Sequence, residues 1–389
     1  MRIKRVIREL YIKIRSLYIR AYRIIYKSDD NMVLFTSFGG TSYSDNPRAV
    51  SEALAKLDPD INIVWILSGN SEIAKYPSYI NVVKKNHHIL VWTAMAKARV
   101  IVTNENCNYI PKGKKQCFIT TWHGDRAFKK ILLDVGPAPR SFVPESIPGY
   151  CDYATAGSDY GVMQYQSAFL YNGKIIRQGC PRNDVLVNPD FKREELTRKR
   201  LGIPEGSKVL LYAPTLRKSA INSSEGQKLQ DIDLAKLAKI LENKTGNQWY
   251  VLLRAHPVVA SLNIQTDEEP YIDATNYEDM ADLLAISDFL ITDYSSCAGD
   301  FALTGRPILL YQSDIDDYVK NDRKLYFKME DSPYYVAKTQ SEAEKIVKEI
   351  TSESAKKNCE EILRFYNTFE SGKASDTLAE IIIKRIKSV

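Results

Sequence analysis

"FLITDYSSCAGDFALTGRPILLY", residues 289–311, holds one complete structural unit. An apolar run ends in a hydroxyl-rich turn, a short helix pattern follows, and a second apolar run closes the unit. Two buried strands joined through a helix pair in parallel, because the crossover returns the chain to the same edge. A parallel sheet is covered on both faces, and ligands bind beyond the carboxyl ends of its strands. Thr292, Asp293, Tyr294, Ser295 and Ser296 crowd one such end. The N–H groups that open the next helix are unpaired and positively polarised, so phosphate is their natural partner. Capping by one serine is the plain structural alternative, and the surplus of hydroxyls favours a ligand.

The same order recurs on both sides of this unit. Strands are expected at 32–38, 62–68, 80–86, 99–104, 116–124, 153–158 and 174–181, with helices at 47–57 and 87–98. A second set has strands at 208–214, 249–257, 288–296 and 307–311, with helices at 192–203, 233–244 and 277–287. This predicts an α/β chain with two doubly wound domains facing a cleft. The expected division is an arm over 1–30, a first domain over 31–190 and a second over 191–389. The length of 389 residues and 44% hydrophobic content supply enough apolar mass for two cores.

Charge is concentrated at the start. Residues 1–27 carry nine Lys/Arg and one acid, +8 in all, so the remaining 362 residues stand near −2 against a total of +6. Ile3, Ile7, Leu10, Ile14, Leu17, Ala21 and Ile24 recur at helical spacing, with Arg8, Arg15, Arg20 and Arg23 off that face. The pattern fits a helix lying on an anionic membrane surface, and a peripheral place on the cytoplasmic face is expected. A helix packed on the protein body is the competing reading. Nucleic acid is not an expected partner, because the body lacks a basic patch with interleaved aromatics. Six scattered cysteines and four histidines give no metal spacing, and a reducing compartment is the default.

Other strand ends carry chemistry. In "TTWHGD" (120–125) His123 follows an apolar strand, where it can act as a general base, and Lys129 and Lys130 nearby suit an anionic substrate. A structural histidine bonded to a carbonyl is the alternative. In "LLRAHP" (252–257) Arg254 offers a planar donor fork and His256 a further donor. "LYAPTLRKS" (211–219) adds Thr215 and Arg217. The chain has no GxxxxGK[ST], no GxGxxG after the first strand and no GxSxG, which removes the P-loop, the dinucleotide fingerprint and the nucleophile elbow.

Taken in order, these clusters resemble the CDP-glycerol glycerophosphotransferase family of teichoic-acid and capsule synthesis. The resemblance rests on "FTSFGGTSYSDNPRAV" (35–50), "TWHG" with "FKKI" (120–131), "GCPRNDVL" (179–186), "LYAPTLR", "LLRAHP" and residues 282–318, and covers about 32–330. It implies a GT-B fold and transfer of a polyol phosphate, glycerol phosphate first, from CDP-glycerol or CDP-ribitol to a lipid-linked or polymer acceptor, with release of CMP. By position, His123 looks like the family's base, and Asp125 beside it becomes a second catalytic candidate. Arg254 and His256 look like donor-diphosphate ligands, and Thr292, Asp293, Ser295 and Ser296 match the phosphate turn. Asn46, Arg182, Thr215, Arg217, Lys129 and Lys130 complete the substrate-binding candidates. "WHGDRAFKK" departs from the family's WHG-T-P-L-K-K by one added residue and no proline, which touches the acceptor side. No cofactor and no tightly held metal are expected, with room left for a loosely bound Mg²⁺. A sugar-nucleotide glycosyltransferase of the same fold and a non-catalytic membrane scaffold are the competing functions.

Overall fold

The computed structural model describes residues 2–68, 76–105, 110–136, 151–215, 217, 232–255 and 271–388, with side chains from residue 6 onward. The first domain is a seven-stranded sheet of β1 (Asp29–Thr36), β2 (Asn62–Leu67), β3 (Ile80–Lys84), β4 (Ala98–Thr103), β5 (Cys117–Thr120), β6 (Tyr153–Ala156) and β7 (Lys174–Arg177). Its order is β3-β2-β1-β4-β5-β6-β7, and every pairing is parallel. Successive strand residues point to opposite faces. Val33 and Phe35 accordingly join one core, while Met32 and Leu34 join the other.

The second domain is a six-stranded parallel sheet of β8 (Lys208–Ala213), β9 (Trp249–Leu253), β10 (Tyr271–Asp273), β11 (Phe289–Thr292), β12 (Ile308–Tyr311) and β13 (Tyr335–Ala337), in the order β10-β9-β8-β11-β12-β13. The three-residue edge strands β10 and β13 were not expected, since runs that short carry no alternation to read.

Around the sheets lie α1 (Arg2–Ile25), α2 (Asp45–Leu57), α3 (His88–Lys97), α4 (Asp159–Ala168), α5 (Phe191–Arg200), α6 (Leu234–Thr245), α7 (Met280–Ile286), α8 (Cys297–Phe301), α9 (Gln340–Glu349), α10 (Ser352–Phe365) and α11 (Ala374–Lys387). The end of the chain departs from the expected division. Helix α11 returns to the first domain, where Leu378, Ala379, Ile382 and Ile386 pack with Val33, Val50 and Leu54. Its amphipathic face predicts burial but cannot say against which sheet. Leu378, Ile382 and Ile386 each contribute about 1.5–3 kcal/mol on burial, which holds the crossover in place.

Helix α1 also differs from expectation. Ile7, Leu17 and Ile24 of the predicted apolar face are 62%, 70% and 86% exposed. The face that packs is the neighbouring stripe of Tyr11, Tyr18, Ile19 and Tyr22, set against Trp92 of α3. Tyr18 shares a 2.8 Å hydrogen bond with Thr93, and Arg23 donates to the Pro111 carbonyl at 2.6 Å. The helix is therefore anchored to the body by aromatics and one arginine, with its aliphatic face outward.

Two sets of contacts lock the domains together. Phe128, on the loop after β5, is fully buried against Phe327 and Tyr334 of the second domain. Beside it, Asp300 of α8 accepts from Arg126 at 2.7 Å, Arg182 at 2.9 Å and Asn183 at 3.0 Å. Glu370, on the crossover to α11, accepts from Arg126 at 2.7 Å and Asn183 at 2.8 Å. Burial pushes the Asp300 carboxyl up, but Arg182 and Arg126 outweigh it and hold the group below the usual carboxylate range. Glycines make room for this cluster: a Cβ on Gly299 would stand 2.9 Å from Cβ of Arg126. A second lock joins Arg48 of α2 to Asp279 at 3.1 Å and Asp282 at 2.9 Å.

Removing one partner of such a cluster leaves an uncompensated buried charge. Asp300→Ala is expected to lower the unfolding free energy by about 3–5 kcal/mol in urea titrations. An unchanged midpoint would show that Phe128 and its neighbours hold the junction alone.

Candidate active site

The carboxyl ends of the two sheets face each other across a cleft of about 1110 Å³. The loops after β1 and β5 form one wall, and those after β8, β9 and β11 form the other. A space of that size and mixed lining suits a nucleotide-linked substrate.

His123 lies on the first wall. Its Nδ1 is 2.8 Å from the Asn104 carbonyl oxygen. A carbonyl only accepts, so the neutral ring carries its proton on Nδ1 and keeps the lone pair on Nε2. The edge of Phe38 and the face of Trp122 flank the ring at 5.3 and 4.3 Å between centroids. Asn104, fully buried at the end of β4, donates to Ser37 Oγ at 3.0 Å and accepts from the Phe38 N–H at 2.9 Å. It thereby ties the β1 loop to the histidine's acceptor. Neither Asn104 nor Phe38 was found from sequence, because nothing in their spelling separates them from ordinary loop residues.

On the opposite wall, Arg254 leaves β9 with its N–H donated to the Tyr212 carbonyl at 2.9 Å. Its guanidinium Nη1 is buried without a hydrogen-bond partner among the described residues. Burial lowers its pKa, against the pull of Asp279 and Asp273. Such a group is costly unless an anion meets it. Ser295 and Ser296 line the same wall. Ser295 Oγ accepts a long bond from the Cys297 N–H at 3.4 Å and also meets the Cys297 thiol, and the Ser296 side chain makes no cap hydrogen bond. His256 lies outside the described residues.

Several expected ligands are structural instead. Asp125 accepts from the Gly157 N–H at 2.9 Å and the Ser158 hydroxyl at 2.6 Å, so both oxygens are committed to the start of α4 and neither faces the cleft. Arg182 is consumed by Asp300 in the domain junction. Asn46 is fully buried under the histidine turn, donating to the Trp122 carbonyl at 2.8 Å and accepting from the Arg182 N–H at 3.0 Å. Thr292 is buried and donates to the Ala213 carbonyl at 2.6 Å. Asp293, a carboxylate that would repel phosphate, accepts instead from the Thr215 hydroxyl at 2.6 Å and pairs with Arg217 at 2.8 Å. Arg217 is further neutralised by Asp314 at 2.8 Å. Thr215 still lines the cleft, as does Lys129, whereas Lys130 is not among the lining residues. The common reason is that a strand end must satisfy its own backbone and neighbouring loops before it can present anything to a ligand.

Comparison with known proteins adds sequence to this geometry. The sequence profile described as CDP-glycerol:poly(glycerophosphate) glycerophosphotransferase matches residues 18–384. The teichoic acid poly(glycerol phosphate) polymerase of Bacillus spizizenii is 31% identical, over 96% of this chain and 99% of its own. The teichoic acid glycerol-phosphate transferase of Staphylococcus aureus is 31% identical over 91% and 93%. A solved structure of the wall teichoic acid polymerase TagF superposes with a TM-score of 0.83 at 30% identity, covering 99% of this chain and 96% of that one.

Burial lowers the Lys129 pKa to about 8, with Arg323 and Arg217 adding repulsion and Asp293 opposing. Its ammonium is present below that pH and is lost as pH rises through it. Acetic anhydride at pH 8 is therefore expected to label Lys129 ahead of the ordinary surface lysines in peptide mass mapping. Labelling only in step with those lysines at higher pH would refute the shift.

Proposed function

This chain belongs to the CDP-glycerol:poly(glycerophosphate) glycerophosphotransferase family, and from that premise we propose how its cleft transfers glycerol phosphate from CDP-glycerol to an acceptor hydroxyl in teichoic-acid synthesis. The observation that carries the reading is one juxtaposition. A histidine with a fixed tautomer shares the cleft with an arginine whose buried Nη1 has no partner among the described residues, and with the hydroxyls of Ser295 and Ser296.

The donor diphosphate sits against Arg254 and the Ser295–Ser296 turn, where preorganised donors meet its charge. The acceptor hydroxyl enters beside His123. Nε2 takes its proton as the oxygen attacks the glycerol-bearing phosphorus in line. The bond from that phosphorus to the bridging oxygen breaks, and CMP leaves with the electron pair. The new positive charge on the imidazolium is stabilised through its Nδ1–H by the Asn104 carbonyl. A sugar-nucleotide glycosyltransferase would release a nucleoside diphosphate instead. A ribitol-phosphate primase of Bacillus spizizenii is also a relative, at 29% identity. Glycerol is proposed here because the family profile and the two relatives reported above carry that polyol in their names.

We further propose that the outward face of α1 rests on an anionic membrane surface and brings the cleft to a lipid-linked acceptor. No helix among the described residues is long and apolar enough to cross a membrane. Leu10, Ile14 and Leu17 stand exposed, as do Ile89 and Leu90 of α3, with Arg8, Lys13 and Arg20 on α1. Apolar insertion and attraction to anionic headgroups then act together.

His123→Ala is expected to lower kcat for CMP release by about 10²–10⁴-fold. CDP-glycerol binding in calorimetry should persist. Full turnover in the variant would overturn the base assignment. Leu10→Gln with Leu17→Gln should reduce sedimentation with phosphatidylglycerol vesicles while leaving turnover on a soluble acceptor intact. Undiminished sedimentation would remove α1 from the membrane reading.

A further inference from the structure

The cleft has a second cationic wall that the donor diphosphate leaves unused. The loop after His123 runs along the segment that follows β12: Lys129 bridges to Leu325, and the Lys130 N–H donates to the Lys324 carbonyl at 2.8 Å. This lacing places Lys129 and Arg323 on the cleft together. Neither has a carboxylate partner among the described residues. Of the nearby acids, Asp293 is engaged with Thr215 and Arg217, Asp314 with Arg217 and Tyr294, and Asp322, which lines the cleft beside Arg323, has an interaction of its own.

This wall is distinct from the Arg254 wall. Two strands, β8 and β11, separate β9 from β12. Three strand spacings put those ends roughly 14 Å apart. The charges acting on Arg254 are Asp279 and Asp273, whereas the groups acting on Lys129 are Asp293, Arg323, Arg217 and Cys297.

We propose that Lys129 and Arg323 form a second anion seat, which takes the phosphodiester adjoining the attacking hydroxyl of a glycerol phosphate acceptor. The proposal rests on the phosphotransfer reading above. An acceptor that carries its own phosphate approaches a diphosphate against like-charge repulsion, and two cations at the point of entry offset it. The position fits, because Lys129 lies six residues beyond His123 on the same loop. Burial keeps the ammonium poorly solvated, and an anion beside it favours its charged form.

The test measures CMP release by the full chain at saturating CDP-glycerol, with glycerol or a glycerol phosphate dimer as acceptor. The wild type should prefer the dimer. Lys129→Gln and Arg323→Gln should each raise the dimer KM about tenfold and erase that preference. Arg323→Lys should keep most of it. CDP-glycerol Kd by calorimetry should stay within about twofold in all three. An unchanged dimer KM in both Gln variants, or a donor Kd that weakens as much as the dimer KM, would overturn the seat. Wild-type protein that releases no CMP from CDP-glycerol would overturn the phosphotransfer reading and this inference with it.

Discussion

The buried carboxylate of Asp300 is the constraint on which the site depends. It holds Arg126 from the loop after β5 and Arg182 from the turn after β7, while it rides on the helix that follows the Ser295–Ser296 turn. The loop that follows His123 and the helix that follows the Ser295–Ser296 turn are thus referred to one point inside the protein. An ion cluster of this kind contributes little net stability over a well-packed apolar core, but it tolerates few geometries. It therefore specifies how the domains meet more than it strengthens their meeting. Phe128 supplies the apolar part, with no charge to desolvate.

Around the cleft, charge is sorted by burial. The acids of the strand ends turn inward, where each is met by N–H groups, hydroxyls or arginines: Asp125 by Gly157 and Ser158, Asp293 by Thr215 and Arg217. Arg254, Lys129, Arg323, two serines and a histidine face the space, and Glu278 and Asp322 also belong to its lining. The cations at these positions attract phosphate. The pairing of Nδ1 with a main-chain carbonyl, rather than a carboxylate, keeps a negative charge away from the reacting phosphates while fixing which nitrogen is basic.

Much of this was legible in the chain. Continuous apolar runs ending in polar turns placed the strands and their parallel pairing, because each such strand is buried on both faces. His123, Arg254, Ser295 and Ser296 stand at those ends and line the cleft. The misread residues share one feature: Asp125, Arg182, Asn46, Thr292 and Asp293 sit at the same ends, in equally suggestive words. Sequence gives a residue's distance along a strand, but not whether its side chain turns toward the cleft or back into the loops. For α1, periodicity found an apolar face and a helix, yet the aromatic stripe one step around the cylinder is what packs.

The alternation of strand and helix, the parallel character of the two sheets and the resemblance to a family were legible in the sequence alone, since they follow from local periodicity and from motifs read in order. The return of α11 to the first sheet, the Asp300 junction and the pairing of Lys129 with Arg323 were decided only in three dimensions. Each joins residues far apart in the chain, and an amphipathic face or a lone charge carries no record of the partner it will meet.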